Sequence, residues 1–109
     1  MSETKILIEK LKAFRDDRNW SQFHNPKDLA LALSIEAGEL NELFLWKKPE
    51  EANIEKVKEE LADVFSYALL LAEKYKLDVT EIVESKIAKN NEKYPVEKAF
   101  NSAKKYNEL

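Results

Sequence analysis

Leu29, Ala30, Leu31, Ala32, Leu33 and Ile35 leave no polar face over two turns of any helix that contains them. A helix that is apolar almost all round must be covered on every side. This is a severe demand on a chain of 109 residues, which fits one domain, residues 1–109, with a modest core. Either the other helices wrap the stretch fully, or a second copy of the chain covers the side they leave open. In a domain this small, the second copy is the simpler solution.

The rest of the chain reads as helical too. One Gly and three Pro in the whole sequence are too few for a turn-rich β fold. A first helix spans about Glu3 to Asp17, where Ile6, Leu7, Leu11 and Phe14 recur at three- and four-residue steps. Asn25-Pro26 is a strong helix start, with Asn as cap and Pro at the first position. The second helix runs from there to about Trp46 and stops before Pro49. A third, from about Glu51 to Tyr75, carries Ile54, Val57, Leu61, Val64, Ala68 and Leu71 on one stripe. Asp78, with Glu81 three residues later, opens a fourth helix to about Glu92. Tyr94-Pro95 breaks it, and Val96 to Tyr106 forms a weaker terminal helix. The expected fold is all-α: a compact bundle of four main helices plus a short C-terminal one.

Charge and composition then remove several function classes. The net charge is −3, and no basic block offsets it, so a nucleic-acid polymer is not an expected partner. With no cysteine, disulfides, thiolate nucleophiles and zinc-thiolate centres are excluded. No apolar run approaches the ~20 residues that span a bilayer, and Met1 to Lys10 lacks an apolar signal core. A cytoplasmic protein without a membrane partner is the expectation.

Two acid pairs stand out. Residues three apart on a helix are neighbours, so Glu36 and Glu39 point the same way, as do Glu60 and Asp63. Paired acids usually mark a solvated face. Here Glu36 and Glu39 share a stripe with Leu29, Ala32, Leu33, Leu40 and Leu43, while Glu60 and Asp63 continue into Leu70 and Leu71. Acids within apolar stripes need compensation, yet the next turn after Glu36 and Glu39 offers Leu40 and Leu43, not a base. A bound cation would supply it. The donors are all hard oxygens, which select Mg²⁺, with Mn²⁺ as a substitute, over zinc or copper. A di-iron bundle would need Glu-x-x-His pairs, and His24 stands in no such spacing. Gly38, the only glycine, sits between the first pair, where a close approach of backbone or ligand would explain it.

Glu36-Ala-Gly-Glu39, Leu43-Phe44-Leu45-Trp46 and Glu59-Glu60-Leu61-Ala62-Asp63 resemble the E-x-x-E … E-x-x-D signature of the MazG-like, all-α nucleoside triphosphate pyrophosphohydrolases. The resemblance is strongest to the small dCTP pyrophosphatase branch and extends to Arg18-Asn-Trp20-Ser-Gln-Phe-His24-Asn-Pro26, Ser85-Lys86, Asn90 and Tyr94-Pro95. It implies hydrolysis of a deoxynucleoside triphosphate, dCTP or a related or modified one, to monophosphate and pyrophosphate. It implies magnesium on Glu36, Glu39, Glu60 and Asp63, water attack at the α-phosphorus, and Glu39 or Glu60 assisting deprotonation. It also implies homodimers or homotetramers whose pockets draw on more than one protomer. One departure is visible: vertebrate members place a substrate-contacting His where this chain has Leu11.

The resemblance assigns Trp20, His24, Trp46 and Tyr67 to the base and sugar pocket. By residue type alone, these Trp and Tyr side chains are more often packing residues than base platforms, although stacking on a nucleobase is physically apt for them. Tyr67 follows Asp63 by four residues and shares its face. Lys86, Asn90, Lys93 and Tyr94, on or just past the fourth helix, are further substrate-binding candidates, three of them able to reach phosphate oxygens. The alternative for them is an ordinary polar helix end. Two other readings stay open: a phosphoribosyl-ATP pyrophosphohydrolase, which shares the carboxylate logic, and a non-catalytic helical adaptor that oligomerises through its second helix.

Overall fold

Each of the four long helices begins at a side chain that accepts a backbone N–H, filling one of the donor positions a helix start leaves open. In the computed structural model, which describes residues 2–109, Ser2 Oγ accepts from Lys5 N at 3.2 Å and opens α1, Glu3–Asp17. Asn25 opens α2, Pro26–Glu42: its Oδ1 accepts from Asp28 N at 2.9 Å while its Nδ2 donates to the Asp28 carboxylate at 2.7 Å. Asn53 accepts from Glu55 N and Lys56 N to open α3, Ile54–Lys74. Asp78 accepts from Glu81 N at 3.0 Å and opens α4, Val79–Lys93. Every regular element among the described residues is helical, as expected. No described helix is long and apolar enough to cross a membrane.

The boundaries differ from the expected ones at three places. α2 stops at Glu42 rather than near Trp46. From Leu43 to Lys47 the backbone switches to i→i−3 bonds, such as Phe44 N to Asn41 O at 3.1 Å, and Trp46 turns left-handed at φ 59°. Lys48 precedes Pro49 and must be extended; its ψ is 155°, so the helix has to unwind before it. α3 begins at Ile54 rather than Glu51, because Asn53 takes the cap. Glu51 instead closes a short 3₁₀ turn, Pro49–Glu51, accepting from Lys48 N at 3.2 Å. The terminal helix α5 covers only Val96–Ala99. Asn101 turns left-handed at φ 61°, and Ser102 Oγ accepts from Lys104 N at 3.3 Å. Local side-chain bonds of this kind compete with a helix.

The chain divides into two compact units, Met1–Leu77 and Asp78–Leu109. In the first, α3 packs mainly against α2 and also against α1. Its best-buried apolar side chains are Leu29 of α2, 1% exposed, with Leu70 and Ala72 of α3. The apolar run of α2 is therefore covered on the Leu29 side only: Leu31 and Ile35 are 54% and 62% exposed. In the second unit, α4 is followed by α5 and by a 3₁₀ turn, Tyr106–Glu108. There the Tyr94 and Tyr106 rings meet edge to face at 6.2 Å, and Lys93 Nζ lies 5.1 Å from the centre of the Tyr106 ring.

Leu29→Ala removes the most deeply enclosed side chain of this thin core. It should lower unfolding free energy by about 2–5 kcal/mol in urea titration, and a loss under 1 kcal/mol would show that Leu29 is not a core anchor.

Candidate metal centre and adjoining cavity

α2 and α3 run together along most of the first unit, and the two acid pairs face one another across that seam. Glu36, Glu60 and Asp63 each offer an oxygen, and these oxygens all lie within 4.8 Å of one another. Glu36 and Glu60 are half-buried; Asp63 is more open. None of the three, nor Glu39, takes part in any ion pair among the described residues. Glu36 Oε2 and Glu60 Oε2 are buried without a hydrogen-bond partner. Such oxygens are costly to bury unless something compensates them.

The electrostatics follow from that crowding. Burial, and then the nearby Glu39 and Asp63 carboxylates, push the Glu36 carboxyl up to about 7. Burial and Glu39 raise Glu60 as well. Glu39 itself is exposed; it stands outside the three-oxygen cluster yet is near enough to act on both partners. Mutually repelling carboxylates with bare, buried oxygens and no basic neighbour fit a hard divalent cation, whose charge would reverse all of these effects.

Asp63 also belongs to a second feature. A cavity of about 240 Å³ opens between α1, the Trp20–His24 link and α3. Leu11, Phe14, Trp20, Tyr67 and Leu70 form its apolar wall, and Arg15, His24, Asp63 and Ser66 its polar part. The helical spacing of Asp63, Ser66, Tyr67 and Leu70 explains why one face of α3 supplies four of the nine. Trp20 is placed by a tight helix end: Asn19 is left-handed at φ 55°, and Trp20 N donates back to Arg15 O at 3.0 Å. The indole then meets the Phe14 ring edge-on at 5.8 Å, and the Arg18 guanidinium lies 3.8 Å from the Phe14 ring centre. The His24 and Tyr67 rings meet edge to face at 6.4 Å. Burial, with Arg15 and Lys74 nearby, lowers His24 and keeps its imidazole neutral at pH 7. Burial and the Glu36 and Asp63 charges raise the Tyr67 phenol.

Three of the expected carboxylates are thus brought together, and Trp20, His24 and Tyr67 share one cavity beside them. Trp46 is not among its lining residues: it sits in the turn after α2, 94% exposed. Lys86, Asn90, Lys93 and Tyr94 lie in the second unit, on α4 and at its end. There Lys86 borders a shallow exposed recess with Glu81, Ser85 and Lys89, and Asn90 O accepts from Tyr94 N at 2.8 Å. No close approach within the chain accounts for Gly38, since a Cβ added there meets nothing within 4 Å. The sequence pattern marks Phe14 only as an apolar position of α1 and does not mark Arg15. The signal was present, because Arg15 follows Leu11 by four residues and so interrupts an apolar stripe as the acids do.

Comparison with known proteins agrees with the layout. The family model described as the MazG-like family matches residues 31–109. The chain is 40% identical to dCTP pyrophosphatase 1 of Bos taurus, over 94% of this chain and 66% of that protein. For the Homo sapiens protein of the same name the identity is also 40%, over 94% of this chain and 65% of that one. The chain thus spans just under two thirds of the length of these curated relatives. The crystal structure of a pyrophosphatase from Archaeoglobus fulgidus DSM 4304 superposes with a TM-score of 0.81 at 37% identity, covering 87% of this chain and 94% of that one. With the family model covering well over half of its residues, and the acid pairs facing each other across α2 and α3, this chain belongs to the MazG-like family.

Proposed function

We propose that the protein hydrolyses a deoxynucleoside triphosphate, dCTP or a modified relative, to the monophosphate and pyrophosphate, as a house-cleaning enzyme of the nucleotide pool. The observation that carries this reading is the junction at Asp63: one carboxylate belongs both to the oxygen cluster and to the aromatic cavity. A ligand spanning the two would place charged phosphates at the cluster and an apolar ring in the cavity. The names of the relatives, dCTP pyrophosphatase 1 and a pyrophosphatase, support the same bond and product.

In this reading Glu36, Glu39, Glu60 and Asp63 hold Mg²⁺, which when bound neutralises the triphosphate and acidifies a water. The buried Glu36 and Glu60 oxygens, lacking other partners, are apt ligands. Glu39 or Glu60 takes the proton from the attacking water. Trp20 and Tyr67 flank the base, and His24, held neutral, closes the cavity beside them. Lys86, Asn90, Lys93 and Tyr94, on α4 and at its end, are further substrate-binding candidates, the first three by residue type suited to phosphate oxygens. Leu31, Ile35 and Phe65, the last 59% exposed, are covered in a homodimer or homotetramer, which also shelters Trp46.

Incubation with a panel of deoxynucleoside triphosphates and Mg²⁺ should yield monophosphate and pyrophosphate by chromatography. Orthophosphate as the sole product would place cleavage at the wrong bond. Glu36→Ala and Asp63→Ala should each reduce kcat at least 100-fold with helicity unchanged by circular dichroism; full activity in both would remove the metal assignment.

The raised Glu36 carboxyl predicts a pH dependence. The unfolded chain releases this proton near the ordinary 4.5, the metal-free folded chain only near 7. Between those values the folded state binds more protons, so Glu36's contribution to stability falls as pH rises from 4.5 to 7. Mg²⁺ binds the ionised form, so its stabilising increment should grow over the same range and level off above pH 7. Calorimetric melting with and without Mg²⁺ at pH 5, 6, 7 and 8 checks this; an increment independent of pH would contradict it.

A further inference from the structure

Arg15 is the one charged side chain buried outright in the first unit, 6% exposed. A guanidinium at such a site must find acceptors, and its fork carries five N–H donors. The chain satisfies only part of it. Nε donates to Asp16 Oδ1 at 2.8 Å and Nη2 to Asp16 Oδ2 at 3.3 Å. Nη1 forms an ion pair with Glu73 Oε2 at 3.7 Å, longer than an ordinary hydrogen bond. The Glu73 carboxylate is moreover shared with Lys76 at 3.0 Å and Lys12 at 3.8 Å. Arg15 thus borders the cavity with a nitrogen held only by a long ion pair to a shared carboxylate.

Its position along α3 says which part of a ligand it meets. Asp63 marks the end of the cavity that adjoins the carboxylate cluster. Arg15 is held beside Glu73, ten residues further, or ~15 Å along the helix at 1.5 Å per residue. Taking the proposed nucleotide reading, the phosphates lie at the Asp63 end, and the group farthest from them is the base. We infer that Arg15 is the base-specificity residue, its Nη1 donating to the acceptor edge of a cytosine ring.

The pattern of acceptor atoms favours that ring. Cytosine presents adjacent acceptors, N3 and O2, to a donor fork. Thymine and uracil present an N3–H, which would face the guanidinium donor to donor.

The experiment compares kcat and KM for dCTP, dTTP and 3-deaza-dCTP, which has C–H in place of N3, in wild type, Arg15→Met and Arg15→Lys. Wild type should prefer dCTP over the 3-deaza analogue by about 10- to 100-fold in kcat/KM, the range for a hydrogen bond to a charged group. Arg15→Met should bring that ratio near one, chiefly through KM for dCTP, and Arg15→Lys should keep part of it. A folded Arg15→Met that retains the wild-type ratio overturns the assignment, as does a wild type that hydrolyses dCTP and its analogue equally well. The latter comparison needs no variant, so it decides the matter even where Arg15→Met fails to fold. A wild type inactive on all three, and on the wider triphosphate panel, would refute the nucleotide reading itself.

Discussion

Three carboxylates gathered across two packed helices, Glu36 of α2 with Glu60 and Asp63 of α3, are the constraint around which the first unit is arranged. Left alone, Glu36, Glu60 and Asp63, with Glu39 close by, repel each other in a setting that water only partly reaches. The cost appears in the raised Glu36 and Glu60 carboxyls and in their unpartnered oxygens. Packing of α2 on α3 forces that proximity, and the packing in turn depends on few apolar contacts, with Leu29 and Leu70 the best enclosed. A thin hydrophobic core thus holds a strained polar site. Such an arrangement favours a function that relieves the strain by binding a cation.

The opposite charge logic governs the far part of α3. Arg15, which borders the cavity, gathers with Lys12 and Lys76 round Glu73, so α3 runs from an acidic region at Asp63 to a basic one at Glu73. Aromatic and apolar side chains fill the interval.

Exposure of the apolar side chains is the third element of the picture. A core this small stabilises a monomer weakly, and Leu31, Ile35 and Phe65 add uncovered apolar area on the same unit. Assembly would increase the burial of α2 and remove the penalty of wetting it. The turn after α2, where Trp46 is left-handed and bare, lies at the end of the same helix.

Much of this was legible in the sequence because it is local. The bounds of α1, the Asn25-Pro26 start and the Asp78 cap follow from side chains acting on their own backbone. The acid pairs follow from three-residue spacing, and the family from those pairs in order. What local pattern could not decide was where helices stop under competing bonds: the unwinding of Leu43 to Lys47, and the end of α5 at Ala99. Nor does spacing on one helix reveal which side chains of another it meets. Periodicity showed that Glu36 and Asp63 each have a helical neighbour; only the docking of α2 on α3 made them neighbours of one another. Arg15 reads in sequence as one more charge near a helix end. Its burial beside Glu73, in a long ion pair, exists only once α1 lies against α3, because contact across helices is a property of packing and not of period.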